Sequence, residues 1–597
     1  MDSLSTEQII VLGTLAASLL LFLTERLRYD AVAILVVLVL AGTGCLTPEA
    51  AFAGFSSKAV VLIGSMYVFS AAMERAGITG WIAKHLVAGG PQSESSLAMR
   101  LTLVSGLLSS VLSNAGVVGT LIPVVGTLSR QSGIPVSRLL IPMSFGSLLG
   151  GMLTLIGTSK NIAVNEAIEK AGAVPFGLFE FSAFGLVLLG IGALYFLGPG
   201  RALLPKRRRD ATLAEHYQVP KFVTEILVEP NSSLVDKTVS QIDLQKRFSV
   251  TVLGLIRAQG KGTLMVPSQL SRIRKDDVLI LRGEPEAILR MRGELNLTER
   301  QAVKVGPTQL VADDVQLVEA VVPATSHYVG ATLKDLDFRA LTNINCLAIS
   351  KHGDVQPTKV HRTRIDIGDT LLLQGHVADI WRQHRTRELI ILAEHQNPRV
   401  GHKAFYTLLM LALFLISSAT GFLPLSVASL GAAVGLVLLR CVRPDDVRRT
   451  MNWSVLILIG GMLALGQAFH EHGLDRIVAH GLNTVCADFS SPVLLVAIML
   501  FATAFLTQVV NHVAAAVLMA PIALELATEM GINDRMLLMA VLTGSGFAFL
   551  SPVAHQANTM IMGPGDYKFS DFLKVGAPLL LILGTAASFL IPLFWPA

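Results

Sequence analysis

Polar, glycine-rich residues break two apolar runs of this chain, and both breaks recur in its second half. Leu112-Ser113-Asn114-Ala115-Gly116 interrupts the run 101–128, and Gly157-Thr158-Ser159-Lys160-Asn161 interrupts the run 139–171. At membrane depth the backbone can leave a helix only where protein buries it or it lines a cavity, because hydrocarbon offers no hydrogen-bond partner. Matching breaks in two half-sequences point to a transporter's binding site. Composition supports lipid as the solvent. Of 597 residues, 52% are hydrophobic and 15% charged, against about a quarter charged in soluble domains.

The other apolar segments arrange themselves around those breaks. Segments of spanning length, about 20 residues, fall at 8–24, 31–46 and 58–74, followed by an amphipathic piece at 81–87 and a polar break at 89–93. The first is read as a transmembrane helix and not as a signal peptide. It follows the acidic Met1-Asp2, has no basic stretch before it and is followed at once by a second apolar stretch. The run 101–128 suits a re-entrant helix–tip–helix hairpin, 139–171 a broken span, and 181–197 closes the half. The pattern resumes at 405–421, 424–440 and 454–469, then a broken run at 493–528, a broken segment at 535–570 and a span at 574–595.

The two halves match at an offset of about 397 residues. Leu62-Ile63-Gly64-Ser65-Met66 meets Leu458-Ile459-Gly460-Gly461-Met462, Asn114 and Pro123 meet His512 and Pro521, and the break 157–161 meets Ala554-His555-Gln556-Ala557-Asn558. Each half then makes an odd number of crossings, and the stretch between them is too polar to cross, so the halves are expected to be inverted. Basic loops at 25–28, 206–209, 399–403 and 440–449 share one face, which the positive-inside rule makes cytoplasmic. Charge clustered beside apolar segments speaks for that topology and against nucleic-acid binding. The expected fold is an all-α polytopic membrane protein of the plasma (bacterial inner) membrane. Its repeats are 1–205 and 394–597, each of five spans with a re-entrant hairpin and a broken helix.

Residues 206–393 differ in character. A basic linker at 206–211 is followed by two small α/β domains at 212–295 and 310–393, with a linker at 296–309, together forming a soluble insert. The second domain repeats the first. Pro230, Val250-Thr251-Val252, Asp276-Asp277-Val278-Leu279 and Gly283 find counterparts in Pro323, Ile344-Asn345-Cys346, Gly368-Asp369-Thr370-Leu371 and Gly375. There is no GxGxxG strand–turn–helix, so a dinucleotide-binding lobe is not expected. The insert is either a scaffold or dimer contact, or a sensor for a small-molecule regulator. Four scattered cysteines make neither a disulfide framework nor a metal knuckle.

The stretch 112–123, then Ser137-Arg138-Leu139-Leu140-Ile141-Pro142 and 150–161, resembles the divalent anion:sodium symporter (sodium/sulfate–carboxylate) family. The stretch 550–558, followed by 563–572, looks like that family's second broken helix and exit, and the insert resembles paired TrkA C-terminal domains. The resemblance implies hairpin tips facing the loops of broken helices, with sodium between tip and loop, the anion between the halves, and a homodimer. Carried over, Ser109, Ser113, Asn114, Gly157 and Asn161 are candidate sodium ligands in the first half, and Thr507, His512, Ala554 and Asn558 in the second. Ser113, Asn114, Thr158, Ser159, Lys160, Asn511, His512, Val513 and Pro552 are candidate anion ligands.

The chain departs from that pattern at its centre. His512 stands where the family has Asn, Lys160 where it has a neutral residue, and Ala554 replaces Gly. A charge within a membrane is costly and marks function by default. Lys160 would supply covalently the positive charge that sodium supplies elsewhere; the other reading is that it snorkels into a watery vestibule. The expected function is a secondary carrier of a small divalent anion, sulfate or a related oxyanion first and di- or tricarboxylates second. Sodium, a proton or a counter-anion would couple it, and no organic cofactor is expected. The alternatives are another ion carrier on this architecture, such as an arsenite or sodium/proton antiporter, and a membrane anion receptor with degenerate sites. No nucleophile–base set or phosphate loop marks an enzyme.

Overall fold

The computed structural model describes residues 5–596 apart from 25–26, 89–92, 171, 208–222, 243, 249, 258–263, 266–270, 283–284, 296, 300–314, 324–325, 352–353, 357–359, 387, 393–400, 402 and 487–490. Most of the expected linkers 206–211 and 296–309 lie outside the described residues. So do the break at 89–92, Gly283, the limits at 212, 310 and 393–394, and Arg26, Arg208, Arg209 and Arg399 of the basic loops. Two units emerge: Met1–Lys206 with His395–Ile561 and Tyr567–Ala597, and Arg207–Glu394 with Met562–Asp566.

The first unit is helical, and its helices occur in the same order twice. In the first half α1 is Thr6–Thr24, α2 Tyr29–Gly42, α3 Pro48–Ala53, α4 Lys58–Arg75, α5 Ile78–Ala88, α6 Glu94–Ser109, α7 Asn114–Ser132, α8 Leu140–Gly150, α9 Ser159–Lys170 and α10 Ser182–Leu197. In the second, α11 is Lys403–Ala419, α12 Leu425–Leu438, α13 Pro444–Thr450, α14 Trp453–Glu471, α15 Leu474–Cys486, α16 Pro492–Val509, α17 His512–Met530, α18 Asp534–Gly546, α19 Gln556–Gly565 and α20 Phe569–Phe594. The end signals match as well. Gly133 at φ 70° and Gly531 at φ 63° close α7 and α17 in the left-handed conformation that glycine takes without strain.

Among the described residues, five helical segments are long and apolar enough to cross a membrane: Pro48–Arg75 (α3 and α4 taken together), Trp453–Glu471, Pro492–Val509, His512–Met530 and Phe569–Phe594. Two of them are the arms of the broken run 493–528. Length alone therefore does not make that run a non-spanning hairpin; what the fold establishes is helix, break, helix. The short helices α3 and α13, and the amphipathic α15, escape a reading based on long apolar runs.

Packing is reciprocal between the halves. Helix α2 lies on α14 of the second half, and α12 lies on α4 of the first. Within each half, the first hairpin arm packs on the helix that precedes the loop, α6 on α8 and α16 on α18. Small residues let these backbones meet. A Cβ on Gly146 would lie 2.4 Å from Thr102 O, and one on Gly544 would lie 2.3 Å from Leu500 O.

The second unit contains two five-stranded antiparallel sheets. In the first, β1 (Val223–Leu227), β2 (Thr251–Ile256), β3 (Leu264–Met265), β4 (Val278–Arg282) and β5 (Thr298–Glu299) run in the order β3-β2-β4-β1-β5. In the second, β6 (Val315–Val321), β7 (Asn345–Lys351), β8 (Asp354–Gln356), β9 (Thr370–His376) and β10 (Ile390–Ile391) run β10-β6-β9-β7-β8, the same arrangement read from the other edge. Register shifts recur at Val252/Gly254 and Cys346/Ala348. Strand β5 pairs with β1 and lies past residue 295, in the stretch expected to be a linker. Each sheet has its own core, around Ile226, Leu255, Leu279 and Met291, and around Val318, Ile349, Leu371 and Ile380.

Candidate functional site

Both hairpin tips are helix N-termini capped by the polar residue at the break. Ser113 Oγ accepts a hydrogen bond from Gly116 N at 3.3 Å, and Asn511 Oδ1 accepts one from Val513 N at 2.9 Å. Short polar side chains are the natural caps for the unpaired N–H groups there. The next residues, Asn114 and His512, begin α7 and α17. Ser109 Oγ donates to Asn114 Oδ1 at 2.8 Å.

The facing loops, between α8 and α9 and between α18 and α19, are held by one device used twice. Asn161 Nδ2 donates to Gly151 O at 2.9 Å and Thr154 O at 3.0 Å. Asn558 Nδ2 donates to Ala548 O at 2.7 Å and Ser551 O at 3.4 Å. Both amides are buried, and each ties two carbonyls of its loop to the helix that follows. Each tip also binds its loop: Thr154 Oγ1 donates to Ser110 O, and Gln508 Nε2 donates to Phe547 O at 2.8 Å while its Oε1 accepts from Leu550 N at 3.1 Å.

Tips and loops border a small, partly open pocket lined by Asn114, Thr158, Lys160, His512, Ser545 and His555, with Leu148 and Gly546. Lys160 carries the one formal charge among these lining residues, and none of them is a carboxylate. Its side chain is 2% exposed. The ammonium leaves the first turn of α9 and donates to Leu542 O and, at 3.2 Å, to Ser545 Oγ, both in the last turns of α18. A helix C-terminus concentrates carbonyl charge and suits a cation. Gly546 makes the space: a Cβ there would stand 2.7 Å from Lys160 Nζ. The rings of His512 and His555 lie with centroids 4.7 Å apart, and buried His512 Nδ1 has no hydrogen-bond partner.

Of the residues singled out from the sequence, Asn114, Thr158, Lys160 and His512 line the cavity. Ser113 and Asn511 cap the tips, Val513 is buried behind one of them, and Ser159 and Pro552 are not among the lining residues. Ser109 is occupied with Asn114, and Thr507 Oγ1 donates to Thr503 O within its own helix at 2.9 Å. Asn161 and Asn558 brace the loops. A Cβ on Gly157 would lie 2.9 Å from Gly151 O, and Ala554 is buried in the equivalent loop. Ser545 and Gly546 are not among the candidates, and His555 lies within the break 554–558 singled out from the sequence. His555 is noticeable as a histidine in a membrane break; Ser545 and Gly546 end α18 and carry no sequence signal of their own.

A donor-lined cavity between two capped tips and two braced loops, inside a bundle of apolar helices, is the anatomy of a secondary transporter. A family profile described as Citrate transporter matches residues 19–544. An uncharacterized transporter of Synechocystis sp. is 32% identical over 598 residues, covering 98% of this chain and 97% of that one. An uncharacterized transporter of Escherichia coli is 28% identical over 611 residues, with 99% of each chain covered. Sodium/sulfate cotransporter 2 of Chlamydomonas reinhardtii is 25% identical over 381 residues, or 62% of this chain and 43% of that one. The chain belongs to the citrate transporter family. It is a transporter of the citrate/sulfate/dicarboxylate type rather than an enzyme, and the likeness to sodium/sulfate symporters holds at the level of relatives.

Proposed function

We propose that this protein carries a small divalent anion, sulfate or a related tetrahedral oxyanion, across a membrane by alternating access. One observation carries the reading: the cavity is lined by a buried ammonium and neutral polar groups, with no carboxylate among them. In a low-dielectric surrounding such a site rejects cations and offers an anion both charge and donors. The N-termini of α7 and α17 begin at that cavity and add the positive ends of their dipoles. The identity of the Chlamydomonas relative supports sulfate; the family description supports citrate, and di- or tricarboxylates are the second reading.

Lys160 occupies the position of a coupling cation in the first half, so transport there needs no sodium, and the carrier is an exchanger, a uniporter or a proton-coupled carrier. The two halves form an inverted repeat in the plasma (bacterial inner) membrane. Their basic loops put the β unit, a pair of TrkA-C-like regulatory domains, in the cytoplasm. The carrier works as a homodimer. Counterflow of labelled sulfate in proteoliposomes tests the reading. Accumulation independent of an inward sodium gradient is expected, and steep sodium dependence would sink the sodium-free part. Absence of flux for sulfate and citrate alike, with binding retained, would make the protein a receptor.

A further inference from the structure

Each β domain buries one aspartate just before its central strand. Asp277 precedes β4 and Asp369 precedes β9, and both side chains are 2% exposed. Each closes a tight turn: Asp277 Oδ2 accepts from Arg274 N at 2.8 Å, and Asp369 Oδ2 accepts from Asp366 N at 2.8 Å. A basic residue stands at the matching place on the neighbouring strand. Ile256 and Ser350 pair with Val278 and Thr370, the first residues of β4 and β9, and the next residues are Arg257 and Lys351. The charges around the two aspartates nevertheless differ. In the first domain Arg257 reaches Asp277 directly, at 2.6 Å, and the turn begins with Arg274. In the second the turn begins with Asp366, which draws Lys351 to 2.5 Å and leaves it 3.7 Å from Asp369.

Two carboxylates therefore share one ammonium, and the buried one has the weaker share. A desolvated carboxylate resists ionisation unless it is well paired, and a like charge beside it adds to the cost. The end of β6 brings no charge to help: Val322 N donates to Asp369 O at 3.0 Å, and its carbonyl accepts from Gly368 N at 2.9 Å. Among the described residues, the charged groups that act on Asp369 are Lys351 and Asp366. Burial first, and then the charge of Asp366, push its carboxyl up to about 7, while the Asp366 N–H and Lys351 pull the other way. A carboxyl that ionises later in the fold than in the unfolded chain stabilises the fold in acid. That stability is lost as the pH rises to about 7.

We propose that the turn 366–369 is a proton switch in the second β domain. A proton held by Asp369 locks the turn onto β6, and its loss leaves two charged carboxylates on one lysine and loosens the domain. The small ligand to which this domain responds is then a proton, and acidification tightens it. The inference stands independently of which anion the membrane unit carries.

Amide hydrogen exchange of the full-length protein in detergent tests it, read on β6 and β9 peptides at pH 6 and pH 8 and corrected for the intrinsic rate. In the wild type, protection is expected to fall about tenfold over that range. D369N keeps an acceptor for Asp366 N and cannot ionise, so its protection should stay level. D366N leaves the lysine to Asp369 alone and should reduce the fall to about threefold or less. The Asp366 side chain is 55% exposed, so D366N preserves the fold and decides the matter even where D369N does not form the domain. A wild type whose protection does not change with pH overturns the inference, and so does an undiminished fall in either variant.

Discussion

The two loops that close the cavity share their bracing and differ in what they deliver to it. Asn161 and Asn558 tie down carbonyls three residues apart in their loops, with the same donor atom and in the same order. Just before them, Lys160 in one loop corresponds to Ala557 in the other. Across the cavity the partner positions are exchanged in size, with Gly546 facing Lys160 and Leu148 standing at the equivalent place in the first half. Each loop also reaches the opposite half's helix: Lys160 donates to Leu542 O on α18, while Asn558 Oδ1 accepts from Ser144 Oγ on α8 at 2.7 Å. Duplication thus supplied a braced loop twice. Paired changes, large against small and charged against neutral, made one side a cation and left the other neutral.

Removing the charge should break the comparison most severely. K160Q leaves two uncharged loops, and sulfate counterflow is expected to fall by about 100-fold or more, as when a buried charged partner is lost. G546A keeps the lysine and takes its space; with a Cβ 2.7 Å from Nζ the ammonium is displaced, and counterflow should fall by about tenfold. Equal activity of G546A and the wild type would show that the position of the ammonium is unimportant.

The braces test the shared part. N161A takes the side-chain donor from Gly151 O and Thr154 O, and N558A takes it from Ala548 O and Ser551 O; each is expected to destabilise the protein by about 2 kcal/mol, read as a lower melting temperature in detergent. N558A also strands the Ser144 hydroxyl and should be the worse of the two; the opposite order would mean that the loops are not equivalently braced. S144A is the mildest change. It removes one neutral bond between the halves, costs about 1 kcal/mol, and should leave sodium-free counterflow close to the wild type.

Much of the site is legible in the amino-acid sequence. The duplication, the two kinds of break and the pairing of Asn161 with Asn558 follow from polar residues at matching intervals in apolar sequence, where each such residue is expensive and therefore informative. Lys160 and His512 stand out for the same reason. The β unit is legible as a repeat, although β5 escapes because a two-residue edge strand has no periodicity to detect. The short helices α3 and α13 lack the long apolar run that a spanning segment requires.

Sequence alone marked the chain as a membrane protein with polar breaks at matching places in its two halves, because local composition decides what lipid can solvate. Only the tertiary structure decided which groups meet there. Lys160 and Leu542, Asn114 and His555, and Ser144 and Asn558 are partners across several hundred residues. Gly546 and Ser545 matter because a helix from the other half brings them to the lysine. Helix packing sets such meetings between halves, and no spacing within either half encodes them.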